Sequence, residues 1–261
     1  MRTASKDPLR LAGKTVVLTG ANGILGRRYV RAYLDAGVRV AALDLKVDRL
    51  PKHRNLWAQA LDLTDKTQAA AAFSRAKTRF GRIDGLHHNC AGKADGFFDR
   101  FEDYRLDTWR SVLSSNIETA LPLTQAALPH FKKRKAGSIV FTCSIYGVVG
   151  ADQRSYEGSS YEGRPINTPA AYAAAKGALA AMVRHLAAEL GVFNVRVNAL
   201  TPGGVASGQN ETFTKKYSAR VPLGRMARAE EMTGPALFLL SGAASYVTGH
   251  NLIVDGGLTA W

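Results

Sequence analysis

The architecture of this chain follows from one segment, Thr15-Val-Val-Leu-Thr-Gly-Ala-Asn-Gly-Ile-Leu-Gly26. Its first five residues have the composition of a short buried strand, and a glycine-rich turn follows. A helical pattern then runs over residues 27–36 and stops at Gly37. Such a turn lets a pyrophosphate approach the backbone and meet free N–H groups at the helix N-terminus. The segment therefore predicts a dinucleotide site, with a ligand-free turn as the alternative. The predicted contacts are Gly20, Asn22, Gly23, Ile24, Leu25 and Gly26.

Strand-like and helix-like segments alternate along the rest of the chain. Further strands are predicted at 38–43, 56–61, 83–88, 138–143, 195–200 and 252–254, with long helices at 106–133 and from about Ala170 to Leu190. This order is typical of a doubly wound α/β domain, in which helices cover both faces of a parallel sheet of about seven strands. Because we find neither a repeat nor a linker, we expect residues 1–261 to form one domain. Residues 150–168 form an unusually long polar loop, which predicts a functional segment.

Composition narrows the class of protein. The chain has 261 residues, of which 46% are hydrophobic, so it can bury a large core. It has no apolar run long enough to span a bilayer, and its first residues lack the apolar centre of a signal peptide. Cys90 and Cys143 do not suggest a disulfide framework, so we expect a cytoplasmic protein. His87 and His88 are adjacent, which favours structural histidines over a metal site.

The net charge is strongly positive, at +14 from 35 basic and 21 acidic residues. Charge of this size raises the question of nucleic-acid binding. The basic residues are scattered, however, and no recognition helix or aromatic RNA-binding motif accompanies them. We therefore expect a small-molecule substrate, with neither a nucleic-acid nor a membrane partner, and a basic surface that could attract anions.

Predicted strands end in residues that suit a dinucleotide. Asp44 ends the second strand, where a carboxylate can accept hydrogen bonds from ribose hydroxyls and would repel a 2′-phosphate. This favours NAD over NADP, although Lys46 or Arg27 could reach a phosphate. The other contacts predicted at strand ends are Leu45, Asp62, Leu63, Asn89, Cys90, Ala91 and Gly92.

Tyr172 and Lys176 lie four residues apart in an alanine-rich helical run. This spacing puts both side chains on one helix face. An ammonium group near a phenol favours the phenolate, which can exchange a proton with an alcohol or a carbonyl. The alternative is a pair of surface residues on an amphipathic helix.

Together, these motifs and their order resemble the short-chain dehydrogenase/reductase family over nearly the whole chain. The resemblance implies a Rossmann fold and assigns Tyr172 as general acid/base, with Lys176 supporting it and binding the nicotinamide ribose. It also implies that Ser144 binds the substrate oxygen and that Asn116 holds a water. A segment of about 203–228 would close over the substrate as a lid. The residues it implies near the nicotinamide are Pro202, Gly203 and Val205.

Three features depart from the family pattern. The glycine turn has the form Thr-Gly-x-x-Gly-x-x-Gly, which is commoner in extended members that act on nucleotide sugars. Cys90 replaces a usual asparagine. Ser144 and Tyr172 are 28 residues apart, a wider spacing than is common in the family, so residues 150–168 form an insertion.

The expected function is hydride transfer between NAD and a secondary alcohol or ketone, on a substrate that is a sugar derivative. A narrower resemblance, to oxidoreductases of bacterial flagellin modification and nonulosonic acid synthesis, supports a sugar. The polar insertion and lid suit a hydroxylated sugar, phosphorylated or nucleotide-linked, with arginines reading a phosphate. The expected substrate contacts are Ile145, Tyr146, Arg154, Arg164, Gln209 and Asn210.

Two alternative functions remain open from the sequence. One is an NADPH-dependent 3-oxoacyl-carrier-protein reductase, and the other is a dinucleotide sensor without catalysis. The resemblance also implies a homotetramer that pairs the long helix and the Tyr172 helix with those of a neighbour.

Overall fold

A seven-stranded parallel sheet forms the centre of the protein, in a computed structural model that describes residues 8–161 and 163–261. Residues 1–7, with their polar sequence, and Glu162 lie outside the described residues. The strand order is β3-β2-β1-β4-β5-β8-β9. The bounds are β1 Thr15–Thr19, β2 Arg39–Asp44, β3 Leu56–Ala60, β4 Gly85–His88, β5 Gly137–Thr142, β8 Val195–Pro202 and β9 Asn251–Val254.

Helices cover both faces of this sheet. The bounds are α1 Ile24–Asp35, α2 Lys66–Phe80, α3 Leu106–Leu113, α4 Ala120–Arg134, α5 Ala170–Leu190, α6 Glu211–Ser218 and α7 Thr233–Leu240. One apolar cluster joins the sheet to α1 and α7, and another joins it to α2, α4 and α5. The predicted single-domain, doubly wound fold is therefore confirmed.

The boundaries of several elements differ from the predicted ones. Helix α1 begins at Ile24, directly after the turn, rather than at Arg27. The predicted helix at 106–133 is interrupted by one π-helical turn at Ser114–Glu118. Helix α7 was not predicted, because it is short and apolar on all sides and contains Gly234 and Pro235. Periodicity reveals a helix only when one of its faces is polar.

The insertion is a folded segment that packs against the lid. It contains a hairpin of β6 Ser160–Tyr161 and β7 Arg164–Pro165. The Tyr156 ring lies 5.0 Å from that of Phe213 on α6, within a buried apolar cluster. Lys216 Nζ, also on α6, donates to the carbonyl oxygens of Glu157 at 2.9 Å and Arg154 at 3.3 Å. Apolar packing and hydrogen bonds therefore hold the two segments together.

None of the helices in 8–161 and 163–261 is long and apolar enough to cross a bilayer.

Candidate active site

The carboxyl ends of the central strands open into a cleft of about 900 Å³. Because the strands are parallel, the turns after β1, β2, β3, β4, β5 and β8 all meet at this edge. Three of the four predicted catalytic residues, Ser144, Tyr172 and Lys176, line the cleft. So do all the predicted cofactor contacts except Gly26. The structure thus brings together residues that are more than 150 positions apart in the sequence.

The glycine turn has the geometry that close approach of a ligand requires. Gly20 has φ +60°, and a Cβ there would lie 2.8 Å from the carbonyl carbon of Asn89. Helix α1 begins without a capping side chain and without an acidic residue in its first turn. Its first N–H groups are therefore free for an anion, and a pyrophosphate fits there. Gly26 serves packing instead, since a Cβ there would lie 2.7 Å from Ala21 Cα.

Asp44 is fixed by the backbone around it. Its Oδ2 accepts a hydrogen bond from Asn22 N at 2.8 Å, and its Oδ1 accepts one from Leu45 N at 2.7 Å. Two backbone donors stabilise the carboxylate and orient it at the mouth of the cleft. Lys46 lines the same wall, so a cation also lies within this part of the cleft.

Two strand ends are tied to neighbouring turns. The backbone N–H of Asn89, just after β4, donates a hydrogen bond to Thr19 Oγ1 at 3.1 Å. Its side-chain Nδ2 donates to Gly20 O at 3.2 Å, which joins β4 to the glycine turn. Asp62, after β3, lines the cleft, and its Oδ1 accepts hydrogen bonds from the backbone N and the hydroxyl of Thr64.

Lys176 is buried, with 2% of its surface exposed. Its Nζ donates to Thr142 O at 3.2 Å and Cys90 O at 3.5 Å, at the ends of β5 and β4. It lies 5.6 Å from the centre of the Tyr172 ring. Tyr172 is only partly buried, and its ring packs edge-on against Phe97 with centroids 6.3 Å apart. A fixed ammonium group therefore lies beside a phenol that reaches the cleft.

Ser144 is the second residue after β5. Its Oγ accepts a hydrogen bond from Tyr146 N at 3.2 Å, which caps a short 3₁₀ turn. Because this bond uses a lone pair of the oxygen, the hydroxyl proton remains available to a substrate oxygen.

Asn116 is fully buried in the π-helical turn, a feature that is frequent at functional sites. Its Nδ2 donates to Val112 O at 2.9 Å and to Gly92 O at 3.0 Å. Its Oδ1 has no hydrogen-bond partner among the described residues. A buried amide oxygen without a partner is a suitable acceptor for a water.

The predicted substrate contacts do not line this cleft. Arg154 is held at 2.9 Å by both oxygens of Asp152, and Arg164 Nη1 lies 3.8 Å from Asp95. Asn210 caps α6 through Phe213 N at 2.8 Å. Gln209 bonds within its own loop, Ile145 is buried in the apolar cluster of the insertion and lid, and Tyr146 packs against that cluster.

Sequence reasoning missed several residues around the site. Thr142 supplies the nearer carbonyl for Lys176, and Phe97 packs against the Tyr172 ring. Tyr156 Oη lies 3.0 Å from Tyr146 Oη and 2.5 Å from Thr168 Oγ1. A carbonyl carries no sequence signal, which is why Thr142 was missed. Tyr156 was not missed, because it lies in the insertion that the sequence already predicted to be a functional segment.

His87 and His88 are buried behind the cleft. Tyr33 Oη lies 2.7 Å from His87 Nδ1, and Thr142 Oγ1 lies 2.9 Å from His87 Nε2. His88 Nε2 lies 3.1 Å from Thr119 Oγ1. Burial lowers the pKa of each imidazole to about 3, and both are therefore neutral. Within the described part of the chain, no cluster of acidic, histidine and cysteine side chains could hold a metal.

Known proteins match this chain over almost its full length. A family model described as enoyl-(acyl carrier protein) reductase matches residues 20–259. The 3-oxoacyl-(acyl-carrier-protein) reductase FabG of Thermotoga maritima is 30% identical over 262 residues, covering 96% of this chain and 99% of that protein.

The chain belongs to the short-chain dehydrogenase/reductase family.

Solved structures agree with this membership. A short-chain dehydrogenase from Leptospira borgpetersenii with bound NAD+ has a TM-score of 0.88 at 29% identity, covering 99% of this chain and 98% of that one. A gluconate 5-dehydrogenase from Burkholderia cenocepacia, in complex with NADP and tartrate, has a TM-score of 0.85 at 25% identity, covering 98% of each chain. The protein is thus an oxidoreductase that acts on alcohol or ketone groups, rather than the non-catalytic sensor that was one alternative.

Proposed function

We propose that this oxidoreductase uses NAD and acts on a secondary alcohol or ketone of a sugar derivative. The observation that carries the cofactor preference is the anchored Asp44 carboxylate, which Asn22 N and Leu45 N hold at the mouth of the cleft. A fixed anion there accepts hydrogen bonds from the ribose and opposes a 2′-phosphate. The free N–H groups at the start of α1 support pyrophosphate binding at the adjoining position.

The proposed chemistry is a proton exchange coupled to hydride transfer. A bound nicotinamide supplies the hydride acceptor or donor. In oxidation, Tyr172 Oη takes the proton of the substrate hydroxyl while Ser144 Oγ donates a hydrogen bond to the same oxygen. The Lys176 ammonium group stabilises the phenolate that accepts the proton. In reduction, Tyr172 returns the proton to the carbonyl oxygen.

Proton supply to Tyr172 involves the π-helical turn. The unpartnered Asn116 Oδ1 would hold a water, and this water would connect Lys176 to solvent. The two carbonyl oxygens that accept from Lys176 leave its third N–H for the water or for a ribose hydroxyl. Asn116 therefore acts on the phenol through Lys176.

The proposal of a sugar derivative rests on less direct support. Short motifs at Ser144, Tyr156, Pro202 and Gly208 resemble those of oxidoreductases in flagellin modification and nonulosonic acid synthesis. One of the similar solved structures is a gluconate 5-dehydrogenase. The hydroxyl and amide groups around Tyr156 and Thr168 suit a hydroxylated molecule. The ion pair between Arg154 and Asp152 argues against a phosphate on the substrate.

An NADPH-dependent 3-oxoacyl-carrier-protein reductase is the second candidate. Lys46 lines the cleft beside Asp44 and could meet a 2′-phosphate. The FabG relative carries that reductase activity in its name.

Parallel calorimetric titrations with NADH and NADPH separate the two candidates. We expect tighter binding of NADH, and a Lys46→Ala variant should keep that order. Tighter binding of NADPH that is lost in Lys46→Ala would favour the reductase instead. Failure to bind either dinucleotide would refute both.

We also propose a homotetramer in the cytoplasm. The free thiols of Cys90 and Cys143 suit a reducing compartment. On α5, Leu179 and Leu190 belong to the core, whereas Ala181 and His185 are exposed on the surface that would contact a neighbouring subunit. Light scattering should give four times the chain mass of 28.1 kDa, and a monomer would contradict the proposal.

A further inference from the structure

A second pocket, of about 780 Å³, lies between the insertion and the segment at 99–104. Ala173, the neighbour of the proposed acid/base Tyr172, forms part of its floor. Tyr104 lines the pocket and belongs to the same apolar cluster as Tyr172. The pocket therefore borders the first turn of α5, the turn that carries Tyr172, whereas Tyr172 itself lines the cleft.

Aromatic rings face this pocket. Tyr156, a buried residue, and Tyr104 line its walls. Phe101 is 72% exposed and belongs to none of the apolar clusters formed by the described residues. A phenylalanine that has no packing role at the rim of a pocket offers its flat apolar face to a ligand.

The charge of the pocket differs from that of the whole protein. Among the described residues, three carboxylates, those of Asp99, Glu102 and Glu157, line it with one guanidinium group, that of Arg100. Arg100 is paired with Glu102 at 3.0 Å and Glu157 with Lys216 of α6 at 3.4 Å, so the excess charge of the lining is the carboxylate of Asp99. In a chain of net charge +14, this pocket is locally acidic. A phosphate or a carboxylate placed there would meet like charge, which costs free energy.

The pocket also contains an acceptor without a partner. Asn167 lines it, and the side-chain Nδ2 of this residue donates to Phe98 O at 2.7 Å. Its Oδ1 is buried and makes no hydrogen bond among the described residues. A hydroxyl group of a ligand would satisfy this oxygen, whereas an apolar or anionic group would not.

We infer that this pocket is a distal substrate subsite that binds a neutral, hydroxylated ring. The carbinol carbon of the substrate lies in the cleft at Tyr172, and the ring extends under the insertion against Phe101, with a hydroxyl on Asn167 Oδ1. The inference rests on the proposed function, because it places the subsite beside the reacting phenol. The sequence predicted a phosphorylated sugar because of the arginines, whereas the subsite favours an uncharged substrate.

The test compares two vicinal diols, trans-cyclohexane-1,2-diol with a ring and 2,3-butanediol without one. With the wild-type protein and NAD, we expect a lower KM for the cyclic diol. Phe101→Ala should raise that KM about tenfold and leave kcat and the KM for butanediol unchanged, since removal of uniform binding energy acts on KM alone. Leu106→Ala, which truncates another exposed apolar residue outside the pocket, should change neither KM.

Two outcomes would overturn the subsite. One is an equal effect of Phe101→Ala on both diols, and the other is no effect on either. Charge is tested with myo-inositol and its monophosphate as competitors. The neutral myo-inositol should compete more strongly than its monophosphate. Glu102→Gln, which frees Arg100, should strengthen competition by the monophosphate. Stronger competition by the phosphate in the wild type would refute the neutral subsite.

Failure of the proposed function gives a different pattern. If the protein oxidises neither diol with either dinucleotide, the proposed substrate class fails, and the subsite is then tested by calorimetry alone. Weaker binding of the cyclic diol to Phe101→Ala than to the wild type would support the subsite. Equal binding to both, or no binding to either, would overturn it.

Discussion

Stability should fall steeply in mild acid because two imidazoles are buried in neutral form. His87 is fully buried and His88 is 1% exposed, and burial lowers the pKa of each from 6.5 to about 3. As the pH falls through 6.5, the unfolded chain binds a proton at each histidine, whereas the folded chain does not. The free energy of unfolding therefore decreases between pH 6.5 and pH 3, by up to about 1.4 kcal/mol per pH unit for each histidine.

Between pH 7 and pH 5 this proton binding lowers the free energy of unfolding by about 2 kcal/mol per histidine, or about 4 kcal/mol for the pair. That loss is a large part of the stability of an ordinary domain. The assay is urea unfolding followed by tryptophan fluorescence at pH 7 and pH 5. We expect His87→Gln, which keeps polar atoms but does not titrate, to reduce the pH-dependent loss by about half.

The exposed His185 provides the matched control, since its side chain is 79% accessible. His185→Gln should leave the loss between pH 7 and pH 5 unchanged. If His87→Gln and the wild type lost the same free energy over this range, the imidazole of His87 would already be protonated in the fold, and the reasoning would be wrong.

Three further predictions concern the cleft. Tyr172→Phe should lower kcat by about a thousandfold while the Kd for the dinucleotide changes less than about twofold; full turnover in a steady-state assay would remove Tyr172 from its role. Asp44→Ser should raise the ratio of NADPH affinity to NADH affinity about tenfold in calorimetry, because the variant lacks the carboxylate that opposes a 2′-phosphate. An unchanged ratio would show that Asp44 does not set the cofactor preference. Gly20→Ala should cost about 1–3 kcal/mol in urea unfolding, because φ is +60° and Asn89 blocks a Cβ; a loss below about 0.5 kcal/mol would refute the close packing.

Much of the fold was predictable from local patterns. Strand β1 is apolar and β-branched, the glycines mark the turn, and both signals lie within a dozen residues. Alternation of such segments then fixes a parallel sheet, and a parallel sheet places its strand ends on one edge. This is why Asp44 and Asn89, which end two of the strands, could be expected at one site, whereas the roles of Ser144 and Lys176 came from the family resemblance.

Other features depend on contacts that no local pattern carries. Residues 114–118 have an ordinary helical composition, and the π-helical turn there is stabilised by a bond from Asn116 to Gly92, 24 positions away. Arg154 was expected to read a phosphate, but Asp152 lies within reach two residues before it and holds it. Composition reveals that a charge is present, whereas only packing reveals which partner it meets.

The joined insertion and lid have a consequence for changing what this enzyme accepts. Lys216 on α6 donates to backbone carbonyl oxygens of the insertion, and the Tyr156 ring packs against that of Phe213. A chimaera that imports only one segment from a relative would leave a lysine without acceptors and an aromatic ring against a foreign surface. Recombination of substrate range within this family should therefore succeed at this site only when residues 150–168 and α6 are transplanted as one cassette.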